Sequence, residues 1–325
     1  ILEEEPLGVE SDFALGMHIP RRWDKILDID SCDIMPSVGS KIVNFVRDLS
    51  KKSSLKPYDQ KTHIGFLRYL MLRFGQNTNE LMVNIVTAYE DLDRLVPFVS
   101  QLTSEFSEIT TVVNNINTRK ADVSFGEKEI LLYGQPVLKE KLKNLTFQIS
   151  SNSFFQTNTH MAEKLYDVIL DEVDSSSNEI AYDLYCGAGS ISLFLAQKVK
   201  FVYAFDIIVS SIENAEENAL YNNVENVDFK VANLDTYFDN HRLSGRPKPD
   251  IVVVDPPRSG MHKKMTSFLP RLQAKKIIYV SCNPTTQARD AQILLDKGYD
   301  LEKLTIVDMF PHTPHIESVG IFTKK

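Results

Sequence analysis

The sequence predicts an α/β protein: a mostly parallel sheet covered by helices, preceded by a smaller α+β unit. Two observations carry this. After Ser150, short β-branched runs alternate with helical patterns, the rhythm of successive βα units. Before Ser150, apolar runs follow one another across short turns with only two helical patterns among them, which suits a largely antiparallel arrangement. The two parts are expected to divide as residues 1–145 and 146–325.

In the first part, Lys25 to Ile29 reads as a short strand after an irregular leading segment. Pro36-Ser37 opens a helical pattern running to Lys51, with Ile42, Val43, Phe45, Val46 and Leu49 on its apolar side. Gly65 to Phe74 and Leu81 to Ala88 are β-rich runs around Gln76-Asn77-Thr78-Asn79, a hairpin signal. Asp91 to Phe106 reads as a helix, with Pro97 near its start or at a kink. Strands are expected at Ile109 to Asn117, Glu129 to Tyr133 and Leu145 to Ser150.

In the second part, a helix from Asn158 to Val173 leads into the turn Ser175-Ser176-Ser177-Asn178. Strands follow at Ile180 to Leu184, Phe201 to Phe205, Val227 to Val231, Ile251 to Val254 and Lys276 to Val280. Helical patterns separate most of them, at Ser190 to Gln197, Val209 to Tyr221 and Lys263 to Leu272, and Thr285 to Lys297 follows the last. Leu301 to Asp308 and Glu317 to Thr323 close the chain as an antiparallel pair.

Composition bounds the rest. Hydrophobic content of 43% and charged content of 25% over 325 residues are those of a soluble two-domain protein. No apolar run approaches the ~20 residues that span a membrane. The first residues lack a signal-peptide pattern and an initiator Met, which suggests a piece of a longer chain. Three cysteines, Cys32, Cys186 and Cys282, are too few and odd in number for a disulfide framework, and they point to the reducing cytoplasm. The net charge is −8 and neither half is basic, so any grip on nucleic acid needs a local basic face or a segment outside this chain.

Asp183-Leu184-Tyr185-Cys186-Gly187-Ala188-Gly189-Ser190 joins the first parallel strand to its helix. Gly187 and Gly189 permit a tight turn and a close ligand, or merely helix–strand packing. Asp206 ends the next strand, 19 residues after Gly187, where a carboxylate reaches ribose hydroxyls in nucleoside-binding sheets. The dinucleotide fingerprint wants a third glycine, and Ser192 stands there, so S-adenosylmethionine is preferred over NAD. Asn233, after the third strand, is either an adenine contact or a polar loop residue.

Val254-Asp255-Pro256-Pro257-Arg258-Ser259-Gly260 follows the fourth strand, and its two prolines stiffen the backbone around Asp255. Where an aromatic residue would suit an amino-group target, Arg258 suits an anionic or carbonyl-rich one. Ile277-Ile278-Tyr279-Val280-Ser281-Cys282-Asn283-Pro284 places a thiol at the carboxyl end of the fifth strand. It is either a small buried hydrophobe or a nucleophile, and a helix capped by Thr285 would favour the thiolate. Cys186 reads as packing.

Phe154-Phe155-Gln156, Asp183 to Ser190, Asp255 to Gly260, Ser281 to Pro284 and Phe310-Pro311-His312-Thr313-Pro314-His315-Ile316-Glu317-Ser318 occur in an order and spacing that resemble the RNA 5-methyluridine (uracil-C5) methyltransferases. The similarity covers roughly residues 16–325. It implies a Rossmann-like S-adenosylmethionine-dependent catalytic domain and an RNA substrate. Cys282 would add to carbon 6 of uracil, and Glu317 would remove the carbon 5 proton. Asp255 and Arg258 would hold the base, and Phe154 would stack on it once flipped out. Gln156, Tyr185, Gly187, Gly189, Ser190, Asp206, Asn233 and Asp255 would line the cofactor site.

Cytosine-5 relatives carry a cysteine where Arg258 stands, which favours uracil. His312 and His315 with Cys282 form an incomplete metal set, so no metal is expected in this chain. Cys32 falls where some members carry the fourth ligand of an iron–sulfur cluster, whose other three cysteines and N-terminal RNA-binding barrel this chain lacks. Arg21, Arg22, Lys51, Lys52, Lys56 and Arg68 are candidate phosphate contacts. The target is expected in 23S rRNA, with tRNA as the alternative. A further alternative is an amino-group nucleic-acid methyltransferase using Asp255-Pro256-Pro257. A monomer with no membrane partner is expected.

Overall fold

The computed structural model describes residues 13–19, 22–121, 123–174, 178–234 and 246–325. Contacts divide it into two units, Ile1–Gly75 with Asn79–Leu138, and Gln76–Thr78 with Lys139–Lys325.

The first unit holds a short antiparallel pair, β1 (Gly16–Ile19) and β2 (Arg22–Asp28), and a four-stranded sheet. That sheet runs in the order β3 (Leu67–Phe74), β4 (Leu81–Thr87), β5 (Thr111–Ile116), β6 (Lys128–Gly134). Helices α1 (Ser37–Lys52) and α2 (Leu92–Glu105) supply Ile42, Val46, Leu49, Leu95, Phe98 and Leu102 to one core with Leu81, Val83, Ile85 and Val112. Each such buried side chain contributes about 1.5–3 kcal/mol. Asp91 caps α2 by accepting from the Arg94 N–H.

The strand pairing is largely antiparallel, as expected, with one exception. β4 and β5 pair in parallel, because α2 lies between them and makes a βαβ crossover. The unit is therefore not purely antiparallel. Arg68 is also not a free phosphate contact. Its guanidinium donates to the carbonyls of Asn117, Arg119 and Ala121 and stacks 4.3 Å from the Tyr58 ring centre. Arg21 lies outside the described residues.

The second unit begins earlier than residue 146. β7 (Leu138–Leu142), which periodicity did not reveal, makes a two-stranded sheet with β8 (Leu145–Ile149) across the turn Lys143-Asn144. Polar anchors hold this ribbon in the second unit. Asn218 and Asn222 accept from the N–H groups of Gln148 and Thr146. Buried Glu140 accepts from Thr159 Oγ1 and from the N–H groups of Gln76 and Asn77, which is why that turn groups with this unit.

The main sheet has seven strands in the order β11-β10-β9-β12-β13-β15-β14. These are β9 (Ile180–Leu184), β10 (Phe201–Asp206), β11 (Val227–Val231), β12 (Ile251–Val254), β13 (Lys276–Ser281), β14 (Tyr299–Val307) and β15 (Glu317–Lys324). The first five are parallel, and β15 is antiparallel to both β13 and β14. β12 is buried along its whole length, as a central parallel strand must be. The helices are α3 (Thr159–Leu170), α4 (Ser190–Ala196), α5 (Val209–Tyr221), α6 (Lys263–Phe268) with a 3-10 turn at Leu269–Leu272, and α7 (Pro284–Asp296).

Candidate active site

Strand order reverses between β9 and β12, and the crevice outside the carboxyl ends of strands at such a point is where open α/β sheets take ligands. The glycine loop, the Asp255–Gly260 loop and Cys282 leave the carboxyl ends of β9, β12 and β13, which are adjacent in the sheet.

The glycine loop turns on positive φ at Tyr185 (70°), Gly187 (54°) and Gly189 (82°). The two glycines serve different ends. A Cβ at Gly189 would lie 2.9 Å from Ala215 and Phe229, so this glycine permits close packing. A Cβ at Gly187 would meet nothing within 4 Å, so this residue faces open space. Asp206 fixes the loop: its Oδ2 accepts from the Gly187 N–H at 2.9 Å and its Oδ1 from the Ile208 N–H at 2.9 Å. The N–H groups of Tyr185 and Cys186 both donate to the Phe205 carbonyl. Ser190 opens α4, and its Oγ accepts from the buried Tyr166 hydroxyl at 3.0 Å. Cys186 is buried, and burial holds its thiol well above the ordinary range.

One residue here was not singled out as a site residue from sequence. Asp183, wholly buried in β9, accepts from Ser192 Oγ at 2.5 Å through Oδ2, while Oδ1 has no hydrogen-bond partner. Burial, then the neighbouring Asp206, pushes its carboxyl up to about 7. A charge inside an otherwise apolar strand was the available signal.

The second cluster gathers Cys282, Glu317, Asp255 and Arg258. Ser281 pairs with Ser318 in the antiparallel β13–β15 ladder, so Cys282 and Glu317 flank this pair at the same end of the two strands. Glu317 is buried, and burial pushes its carboxyl up to about 7. Asp255 is raised to about 8, by desolvation first, then by Glu317 and Asp183. The half-buried Cys282 thiol is also raised, by burial, then by Glu317 and Asp255, with Arg258 acting in the opposite sense. Glu317 and Asp255 both act on the Cys282 thiol, and Glu317 also acts on Asp255, so these groups lie close enough to influence one another's charge.

Asn283, not Thr285, caps α7: its side chain accepts from the Thr285 N–H, and Pro284 takes the first helical position. Asn283 Nδ2 also donates to the Arg258 carbonyl at 3.1 Å. Arg258 Nη2 lies 3.5 Å from His315 Nδ1, so that histidine neighbours the arginine.

The remaining residues are less tightly placed. Phe154 is 71% exposed, while its neighbour Phe155 is buried 5.6 Å from the Phe147 ring. Half-buried Gln156 stands two residues before Asn158, the cap of α3. Asn233 is exposed just after β11. Among the described residues no group of three or more His, Cys, Asp or Glu could hold a metal.

Sheet order, glycine loop and strand-end acid define an S-adenosylmethionine-dependent methyltransferase fold. Comparison with known proteins bears on its subclass. A family model described as tRNA (Uracil-5-)-methyltransferase matches residues 101–325. An uncharacterized RNA methyltransferase of Chlorobaculum tepidum is 39% identical over 325 residues, covering 99% of this chain and 67% of that protein. One from Oceanobacillus iheyensis is 36% identical over 98% of this chain and 70% of its own length. The crystal structure of Pyrococcus abyssi tRNA (uracil-54, C5)-methyltransferase with S-adenosyl-L-homocysteine superimposes with a TM-score of 0.77 at 33% identity, covering 93% of this chain and 71% of that one. The chain belongs to the RNA uracil-5-methyltransferase family, and it is an RNA-modifying enzyme.

Proposed function

We propose that this enzyme methylates carbon 5 of one uridine in RNA through a covalent bond between Cys282 Sγ and carbon 6 of the base. The observation that supports it is the convergence of a thiol, two carboxyls and a guanidinium at adjacent strand ends. Uracil carbon 5 is a weak nucleophile. Addition of the Cys282 thiolate to carbon 6 turns the carbon 5–carbon 4–oxygen 4 unit into an enolate, which attacks through carbon 5. Arg258 and a protonated Asp255 stabilise the charge on the uracil oxygens. Glu317 then takes the carbon 5 proton, the carbon 6–sulfur bond breaks, and the electron pair returns to Cys282.

S-adenosylmethionine supplies the methyl group as an electrophile. The chain fits it: Gly187 leaves open space over the loop, and Asp206, at the end of β10, takes the ribose position in this reading. Tyr185, Gly189, Ser190, Gln156, Asn233 and Asp255 complete that lining in this reading. The exposed Phe154 ring stacks on the flipped base. This chain cannot by itself supply a four-cysteine cluster, because it has three cysteines.

A uridine of 23S rRNA is the proposed target, with the Cys32 position as its support. A tRNA uridine is the second reading, favoured by the Pyrococcus abyssi tRNA enzyme. The protein acts in the cytoplasm as a monomer. The test is methylation of rRNA and tRNA from cells lacking the gene, followed by mapping of 5-methyluridine. One uridine should gain the methyl group, and Cys282→Ala should abolish transfer. Full activity of Cys282→Ala, or methylation of an exocyclic amine, overturns the reading.

A further inference from the structure

Asp290 is a buried carboxylate that the mechanism above does not use. It lies on α7 and is 1% exposed. Its Oδ2 accepts from the Met261 N–H at 2.9 Å and from the Tyr279 hydroxyl at 2.7 Å. Its Oδ1 accepts from Arg289 Nε at 2.9 Å and lies 2.8 Å from Arg289 Nη2. Arg289 Nη2 also donates to the carbonyls of Ser259 (3.3 Å) and Met261 (3.2 Å).

Three of these bonds, to the Met261 N–H and to the Ser259 and Met261 carbonyls, hold the loop that carries Arg258, and the Tyr279 bond ties the same carboxylate to β13. Gly260, at φ 77°, is pressed against the pair: a Cβ there would sit 2.6 Å from Arg289 Nη2 and 2.8 Å from Asp290 Oδ2. The Arg258 carbonyl is taken by Asn283 Nδ2 (3.1 Å) and Thr286 Oγ1 (3.4 Å). Every anchor comes from the stretch Tyr279–Asp290, the stretch that also carries Cys282. Neither Asp290 nor Arg289 is among the groups that shift the Cys282 thiol. A saturated buried carboxylate is directional in a way that apolar packing is not.

We propose that Asp290 and Arg289 are positioning residues that lock the Arg258 loop to the β13–α7 segment, and so set Arg258 in register with Cys282. This rests on the uracil reading for its catalytic consequence, but not for the lock itself. Misplacing a group by about 1 Å can cost about 100-fold in rate.

The test uses the full chain with Arg289→Ala, whose side chain is 56% exposed, and with Asp290→Asn as the stronger lesion. Hydrogen exchange of residues 258–262 should speed up by about 10-fold or more in both, with β9 and β12 unchanged. Adduct formation with 5-fluorouridine RNA should slow by about 10- to 100-fold in Arg289→Ala. Affinity for S-adenosylmethionine should change by less than about 2-fold. In an Arg258→Ala background, Arg289→Ala should cost less than about 2-fold more, because it acts through Arg258. Unchanged loop exchange, or full additivity with Arg258→Ala, overturns the proposal. If wild type forms no adduct with any RNA, the uracil reading fails while the exchange measurement still decides the lock.

Discussion

Cys282 and Glu317 flank the last pair of an antiparallel ladder, Ser281–Ser318, at the same end of β13 and β15. Cys282 directly follows the last residue of β13 and Glu317 opens β15, so the register of the two strands brings them to the same end of the ladder. It is braced from α7: Gln287 Nε2 donates to the carbonyls of Tyr279 (2.8 Å) and Ser318 (3.2 Å), and Ser318 Oγ donates to Gln287 Oε1 (2.7 Å). The antiparallel turn-back of β15 therefore delivers a carboxyl to the thiol that ends β13. The geometry also has an electrostatic cost, since an acid beside a thiol disfavours the thiolate.

Glu317→Gln should show both consequences. Without a base for the carbon 5 proton, the methylated adduct should persist and appear as an enzyme–RNA band on denaturing gels. Without the neighbouring negative charge, Cys282 should ionise more readily, so its alkylation by iodoacetamide at pH 8 should rise by about 3-fold. Slower alkylation, or no adduct with a correct substrate, would remove Glu317 from this role.

The pH dependence of the two half-reactions should differ. Adduct formation with 5-fluorouridine RNA needs the Cys282 thiolate, and that thiol is raised, so its rate should still climb above pH 8. Turnover also needs Glu317 unprotonated, and Glu317 is raised to about 7, which adds a limb near neutrality. Superimposable profiles for adduct formation and turnover would contradict the assignment of Glu317 as base.

Much of this was legible in the sequence, and the gaps have physical reasons. Alternating β-branched runs and the Gly187–Gly189 turn marked the parallel sheet, since period and turn chemistry are local. The β13–β15 pair was harder, because Cys282 and Glu317 are distant in sequence and only register brings them to the same end of the ladder. β7 escaped because Leu138-Lys139-Glu140-Lys141-Leu142 carries charge at three positions, one of them the buried Glu140. Gln287 and Asp290 escaped for a related reason: both are polar on the buried face of α7, where pattern reading expects apolar residues.

Asp183→Asn should stabilise the protein more at pH 8 than at pH 5. The folded-state carboxyl is raised to about 7 against an unfolded value near 3.9, so the native state holds the extra proton between those values. Stability falls as pH rises through that window, and the loss is complete above about 7. An amide removes this penalty, on the order of 2 kcal/mol after allowance for relaxation. Urea midpoints of both proteins at the two pH values measure it. Equal differences at pH 5 and pH 8 would show that Asp183 is not raised.

Gln287→Leu tests the brace behind the Cys282–Glu317 pair. Leucine fills similar volume but gives up both donated bonds and leaves the buried Ser318 hydroxyl short of its Gln287 partner. Losing buried hydrogen bonds of this kind costs about 1–3 kcal/mol, so the melting temperature should fall by several degrees. The functional cost should be larger than the stability cost explains. With the ends of β13 and β15 free to slide, turnover should fall by about 10-fold at temperatures where the variant is fully folded. S-adenosylmethionine binding should stay unchanged, because Gln287 is not among the residues proposed to line that site. Ser318→Ala removes only one hydroxyl and should give the same split in milder form. A variant that melts lower but turns over at the wild-type rate would show that the backbone ladder alone holds the thiol and the carboxyl in place.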